Sequence, residues 1–268
     1  MERIKQALEK ARLERESGQT NRSRIQADAP EANPETDVIS YTNTKTVSVS
    51  REDLRKKHIV SGYESGQFTD AYKMLRTQVL HRLEKNDWNV LAVTSPKEGE
   101  GKTLTAINLA ISIAMEVSYT VLLVDANLRH PSIHEYFDIP SNKGLSDYLL
   151  DPSISLPELL VHPEESENVV ILPAGSPQIN SSEMLSSPRM QHLVEDMKSY
   201  YKKRIIIFDL PPVLTTPDTL AFMPHMDAAL IVLENGKTSI RSLKDTMPLL
   251  DHINVIGTVL NKTPSPIA

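Results

Sequence analysis

Ser95-Pro-Lys-Glu-Gly-Glu-Gly-Lys-Thr103 lies directly between an apolar run, Val90-Leu-Ala-Val-Thr94, and a helical pattern that begins Leu104-Thr-Ala-Ile-Asn-Leu-Ala-Ile. Glycines let a backbone turn its N–H groups inward, and at the start of a helix the aligned peptide dipoles favour an anion. A strand, such a loop and a helix in that order make a phosphate cradle. The backbone of Gly99, Glu100, Gly101, Lys102, Thr103 and Leu104 would face the β- and γ-phosphates of a nucleotide. Lys102 adds a point charge, and the Thr103 hydroxyl is a ligand for Mg²⁺. Pro96 occupies the place of the first glycine in G-x-x-x-x-G-K-[ST], so the motif rests on its strand and helix as much as on its letters.

Two carboxylates point to the same chemistry. Val121-Leu-Leu-Val-Asp125 and Ile205-Ile-Ile-Phe-Asp209 each close an apolar run with an acid. The end of a buried strand is a costly place for charge unless a cation or a catalytic task occupies it. Asp209 suits a Walker B role, holding a water of the Mg²⁺ shell, whereas Asp125 would either hold Mg²⁺ or accept a proton from an attacking hydroxyl. The bland alternative for both is a strand-end acid facing solvent. Arg129 and His130 either flank the phosphates or serve as a salt bridge and an exposed side chain.

To bring these groups together the chain needs parallel strands. Apolar candidates are Val90–Thr94, Thr120–Asp125, 169–173, Arg204–Asp209, 228–233 and 255–260, with helical patterns at 102–116, 187–201, 217–223 and 239–252 and a broken region over 131–161. Val, Ile and Leu runs alternating with helices predict a three-layer α/β fold, a mostly parallel central sheet with helices on both faces. In such sheets ligands bind at the carboxyl ends of the strands, where each charged motif falls.

Upstream, residues 2–16 carry Ile4, Leu8 and Ala11 on one face, giving an amphipathic N-terminal helix within 1–18. Residues 19–46 are polar with Pro30 and Pro34 and read as a flexible linker. Order resumes at 47: Ser50 caps a short helix, and a longer one over 69–85 turns Ala71, Met74, Leu75, Val79 and Leu83 inward. The nucleotide-binding domain runs over 47–262 and a short tail over 263–268.

Composition narrows the function class. The 268 residues hold enough apolar material, 40%, for one full core, and no cysteine, which removes disulfides, thiolate metal sites and thiol catalysis. A net charge of -6 argues against nucleic acid as the main partner. The longest apolar stretch, 104–117, is interrupted by polar residues and too short to span a bilayer, and the first residues lack a signal-peptide core. The reading is a cytoplasmic protein that reaches the membrane only through a partner.

VTSPKEGEGKT, VLLVDANLRHPSIHEYF, IIIFDLPPVL and GTVLN resemble the Walker A, A′ and B motifs and the nucleotide-edge asparagine of bacterial tyrosine kinases, the CpsD/CapB-type autokinases of capsule and exopolysaccharide loci. The likeness runs from about Tyr72 to Asn261. MERIKQALEKARLER and LSDYLL resemble a narrower group encoded in exosortase-associated exopolysaccharide loci. The resemblance implies a fold like the MinD/ParA ATPases, ATP and Mg²⁺ as cofactors, transfer of the γ-phosphoryl group to tyrosine, self-association, and a transmembrane polysaccharide chain-length determinant as partner. By position it implies that Lys102 and Thr103 bind phosphate and Mg²⁺, that Asp125 assists deprotonation of tyrosine, that Asp209 supports Mg²⁺, and that Asn261 contacts adenine.

Departures from the family pattern keep alternatives open. Asp-x-Asp-x-Arg becomes Asp125-Ala-Asn127-Leu-Arg129, so a metal-side carboxylate is an amide. The helical Glu-x-x-Arg-x-x-Arg of subunit contacts becomes Asp70, Lys73 and Arg76, and the C-terminal tyrosine cluster is missing, leaving Tyr41 and Tyr63 as the most accessible acceptors. Lys97 stands where MinD/ParA-type ATPases carry a signature lysine, or is simply a solvated loop charge. A MinD/ParA-like ATPase switch and a nucleotide-binding scaffold with impaired phosphotransfer are therefore the rival functions. For all three, Lys102→Ala is expected to weaken Mg-ATP binding by about ten- to a hundredfold, the worth of a charge-assisted contact, in a titration with a fluorescent ATP analogue.

Overall fold

The computed structural model describes residues 45–60, 66–140, 143–164, 166, 168–200 and 203–264. The N-terminal helix, all but the end of the linker, the last tail residues, Tyr41 and Tyr63 lie outside the described residues. The strands are β1 (Lys45–Val47), β2 (Val90–Thr94), β3 (Thr120–Asp125), β4 (Val161–Pro163), β5 (Val169–Leu172), β6 (Arg204–Asp209), β7 (Ala228–Glu234) and β8 (Asn254–Asn261), in one sheet of order β1-β4-β5-β3-β6-β2-β7-β8. Among the described residues only the β4–β5 pairing is antiparallel. β3 and β6 lie to one side of β2 and β7 and β8 to the other, so the winding reverses at β2 and opens a crevice at its carboxyl end.

The helices are α1 (Arg51–Lys56), α2 (Gln67–Lys85), α3 (Lys102–Ala114), α4 (Ile133–Tyr136), α5 (Leu145–Leu150), α6 (Ser181–Leu185), α7 (Pro188–Tyr200), α8 (Asp218–Phe222) and α9 (Ile240–Thr246). Successive strand side chains point to opposite faces, and here both faces are covered. Leu91, Val93, Ile205 and Ile207 join one apolar cluster with Val79 and Leu83 of α2 and Ile107 and Ile113 of α3. Val90, Ala92, Ile206 and Phe208 join the other with Leu185, Met190, Leu193 and Phe222 of α6, α7 and α8. Coverage on both sides is why these strands read as unbroken apolar runs rather than as alternations.

Two sequence expectations change. Met74 is 52% exposed, while Tyr72, Val79, Leu80 and Leu83 form the buried stripe of α2; two residues from Tyr72 is about 200° round a helix, which turns Met74 outward. β1 and β4 went unnoticed because three residues are too few to show a period, and β1 begins within the stretch read as linker. No helix among the described residues is long and apolar enough to cross a membrane.

Helix α1 begins as its sequence suggests, with the Ser50 hydroxyl oxygen accepting from the Asp53 amide at 3.1 Å. Its end is a Schellman turn: His58 N–H donates to Arg55 O at 2.9 Å and Ile59 N–H to Leu54 O at 2.8 Å, with Leu54 and Ile59 both in the core. The chain then docks on α3, where buried Asn108 accepts from the Val60 amide at 2.7 Å and donates to His58 O at 3.0 Å. His58 sits at φ 56° with an exposed side chain, a position where glycine avoids the Cβ penalty. His58→Gly is therefore expected to stabilise the protein by about 0.5–1 kcal/mol, the left-handed strain relieved less the entropy added to the unfolded chain. Urea denaturation checks it, and a less stable variant would contradict the strain argument.

Candidate nucleotide-binding site

Strand register assembles the site. Asp125 is paired directly with Asp209 across β3 and β6, and Val93 of β2 is paired with Asp209 on its other side. Both acids are fully buried at the sheet edge from which the Ser95–Thr103 loop departs. Lys102 Nζ lies 3.3 Å from Asp209 Oδ1 and donates to Thr103 Oγ1 at 3.2 Å, and the Thr103 hydroxyl donates to Asp209 Oδ2 at 2.6 Å. The bland reading of solvent-facing acids is thus excluded.

Asp125 is held differently. Its Oδ1 accepts from the Asn127 amide at 3.2 Å, and its Oδ2 accepts from the Ser132 and Ile133 amides, both at 3.0 Å. The Ser132 hydroxyl also reaches Thr103 Oγ1 at 3.4 Å. Burial, then the charge of Asp209, push the Asp125 carboxyl up to about 7 against the downward pull of those amides and Lys102. Burial raises Asp209 as well, opposed by Lys102 and Thr103. Next to this pair, Asn127 is buried and its Oδ1 has no hydrogen-bond partner. Two adjacent acids facing one lysine, with an unsatisfied amide oxygen beside them, form an oxygen-rich, under-neutralised set that fits a hard divalent cation such as Mg²⁺.

The phosphate loop is braced from both sides. Val213 N–H donates to Ser95 O at 2.9 Å and Leu214 N–H to Pro96 O at 3.2 Å, while Thr94 Oγ1 donates to Pro211 O at 2.7 Å. Positive φ occurs at Gly99 (76°) and Gly101 (91°), so proline at 96 meets no left-handed requirement. From β8, Asn261 Nδ2 donates to Glu100 O at 3.0 Å and Lys262 Nζ to Gly99 O at 2.7 Å. The φ of 91° at Gly101 would strain any other residue, and a Cβ there would also stand 2.0 Å from Asn261 Nδ2 and push that side chain off the loop. Buried Glu100 accepts from the Lys97 amide at 2.9 Å and from the Thr238 hydroxyl. Leu104 is half-buried against the core under α3.

Of the remaining candidates, Lys97 and His130 are exposed. Arg129 takes the salt-bridge alternative, its Nε 3.0 Å from Oδ2 of fully buried Asp218, which also accepts from the Ser181 hydroxyl. On α2, Lys73 is 3.4 Å from Asp70, and Arg76 turns inward to Ser112 O at 2.9 Å and Glu116 at 2.8 Å. Sequence reasoning passed over Ser132 and Ile133, whose backbone amides do the work, and Asp218 and Thr238, whose partners are far along the chain. The only signals were Pro131, marking a turn, and Pro217, opening a helix.

A family model described as an AAA domain matches residues 88–263. Tyrosine-protein kinase YwqD of Bacillus subtilis is 32% identical over 170 residues, which cover 63% of this chain and 70% of that protein. The succinoglycan biosynthesis transport protein ExoP of Rhizobium meliloti is 28% identical over 215 residues, 78% of this chain, yet the chain spans only 27% of ExoP's length. Among solved structures, the VpsO kinase domain is 28% identical with a TM-score of 0.66, covering 80% of this chain and 100% of that one. MinD of Pyrococcus horikoshii, complexed with Mg-ADP, shares the fold at a TM-score of 0.54 and 24% identity, covering 66% of this chain and 71% of that one.

Both raised carboxyls make a prediction for the nucleotide-free protein. A carboxyl whose folded pKa exceeds its unfolded value stabilises the fold below the unfolded pKa, and that contribution is lost as pH rises through the folded one. Between about pH 4, the ordinary carboxyl range, and about 7, where Asp125 titrates, wild type should lose melting temperature relative to Asp125→Asn. The amide adds a constant offset for the backbone bonds it cannot accept. Scanning fluorimetry at stepped pH measures the gap, and a gap independent of pH would show that Asp125 ionises normally.

Proposed function

The chain belongs to the AAA-domain family and to the group of bacterial tyrosine-protein kinases represented by YwqD, and from that membership we propose that it transfers the γ-phosphoryl group of ATP to tyrosine hydroxyls, its own included, in the control of exopolysaccharide chain length or export. The observation that carries the proposal is the register-locked pair of Asp125 and Asp209 beside Lys102 and Thr103.

In this reading the amides from Gly99 to Leu104 and the Lys102 ammonium hold the β- and γ-phosphates, Lys102 swinging from Asp209 toward them. Thr103 and Asp209 would hold Mg²⁺, which when bound with ATP neutralises phosphate charge, leaving Asp125 to its alternative role. Asn261, already against the loop, is placed to contact the base. Asp125 is suited to the acceptor's proton: three backbone bonds fix its plane, one of its roughly four lone-pair directions stays free, and a pKa of about 7 lets it take a proton near neutrality. The rest of the effect is positioning and charge stabilisation.

The exopolysaccharide context rests on ExoP, named for succinoglycan transport and about four times longer than the region shared with this chain. In this reading the partner is a transmembrane polysaccharide chain-length determinant, which recruits the protein to the inner face of the membrane. The α2 face of Asp70 and Lys73 is the candidate surface for self-association, with Arg76 contributing less because its guanidinium is engaged internally. An ATPase switch of the MinD kind is the second reading, favoured by exposed Lys97.

Phosphotyrosine formed from labelled ATP in the presence of the partner separates these readings; phosphate release without phosphotyrosine favours the switch. Asp125→Asn should lower phosphotyrosine formation about a hundredfold or more, the scale of a lost general base, while nucleotide still binds. Asn127→Asp should raise it by restoring a carboxylate beside Mg²⁺. If wild type and Asn127→Asp are both inactive with partner and Mg-ATP present, the kinase reading fails.

A further inference from the structure

One side chain outside the nucleotide motifs is bonded to the same four-residue turn that holds Asp125. Lys57, the residue at the C-terminal cap of α1, donates from Nζ to Glu135 O at 2.8 Å, to Tyr136 O at 3.3 Å and to Asp138 Oδ1 at 2.9 Å. An ammonium has three protons, and all three are directed at the end of α4. At the other end of α4, the Ser132 and Ile133 amides are the two donors on Asp125 Oδ2. The turn is therefore held between opposite charges, a carboxylate at its N–H end and an ammonium at its C=O end, the arrangement its peptide dipoles favour.

Each contact has a distinct weight. The Lys57–Asp138 ion pair is half in solvent, with Asp138 64% exposed, and contributes little alone. The two carbonyl bonds matter more, because a four-residue turn has almost no internal hydrogen bonding and depends on outside partners for its place. The same turn carries Tyr136, whose hydroxyl is pushed up by burial and by the charges of Asp209 and Glu135.

Lys57 is itself anchored. The Schellman turn at His58 and the two bonds from Asn108 fix the backbone on either side of it to the core and to α3. We propose that Lys57 is a positioning residue for phosphoryl transfer: by clamping the carbonyl end of α4 to the anchored 50–60 segment, it fixes the amides that orient Asp125. The proposal rests on the kinase reading for its catalytic consequence but not for the clamp.

The test uses the full chain and two independent readouts. In the nucleotide-free protein, Lys57→Met should speed amide hydrogen exchange at residues 132–137 about fivefold or more, on the scale of one lost hydrogen bond, and leave α7 on the opposite face unchanged. Lys57→Arg, which keeps donors on a long arm, should restore slow exchange. With partner and Mg-ATP, Lys57→Met should lower kcat for phosphotyrosine formation about tenfold, a loss expected of sub-ångström misplacement, with KM for ATP within about twofold and recovery in Lys57→Arg. Unchanged exchange at 132–137 overturns the clamp. Faster exchange with unchanged kcat overturns the positioning role. A wild type that makes no phosphotyrosine fails the functional reading, and the exchange result still decides the clamp.

Discussion

Strand register forces two acids together, and much of the site follows from how that repulsion is met. Asp125 and Asp209 are direct neighbours on hydrogen-bonded parallel strands, about 5 Å apart at the backbone, so neither can retreat. Asp209 is answered by a lysine and a hydroxyl from the first turn of α3. Asp125 is answered by three backbone amides and by a raised affinity for protons. One lysine against two acids leaves the nucleotide-free site short of positive charge. Such a deficit at the reversal point of the sheet is what the proposed function would use, a cation arriving with phosphates.

The layers, the strands β2, β3, β5, β6, β7 and β8 and the convergence of both acids on the phosphate loop were legible in the sequence because each depends on local pattern. Val-Leu-Ala-Val, Val-Leu-Leu-Val and Ile-Ile-Ile-Phe runs mark strands covered twice, and a motif at each carboxyl end must fall on one edge. What was not legible is tertiary. Whether Met74 or Tyr72 faces the core is a matter of one helical phase, and both satisfy an apolar pattern. Arg129 had two plausible partners until Asp218, 89 positions later, was brought beside it. The backbone donors on Asp125 carry no sequence signature, since an amide is supplied by nearly any residue type.

Pro96 shows how a motif can lose a letter and keep its geometry. The first glycine of a phosphate loop is dispensable where the backbone there has ordinary φ and its carbonyl is used, and here Leu214 bonds that carbonyl while the left-handed turns fall to Gly99 and Gly101. The segment after β6 thus sets the path of the loop before it. That same segment leads to Thr219, which donates to Pro211 O at 2.6 Å, and to Asp218, which grips Arg129. The three motifs behave as one braced unit, so a change in any of them is felt as geometry in the others.

Asn127 is understandable within that unit. Its buried Oδ1 lacks a partner, and a carboxylate there would place a third negative charge against one lysine, deepening the like-charge cost in the nucleotide-free state while strengthening the hold on a cation. The amide keeps an oxygen for the metal shell and avoids that cost. Proton transfer is not what the substitution removes, because the acid with the raised pKa and the fixed plane is Asp125. Under the proposed function the weight would therefore shift to metal affinity: a chain with Asn127 would depend more on Mg²⁺ delivered with ATP and on how firmly the α4 turn keeps Asp125 in line.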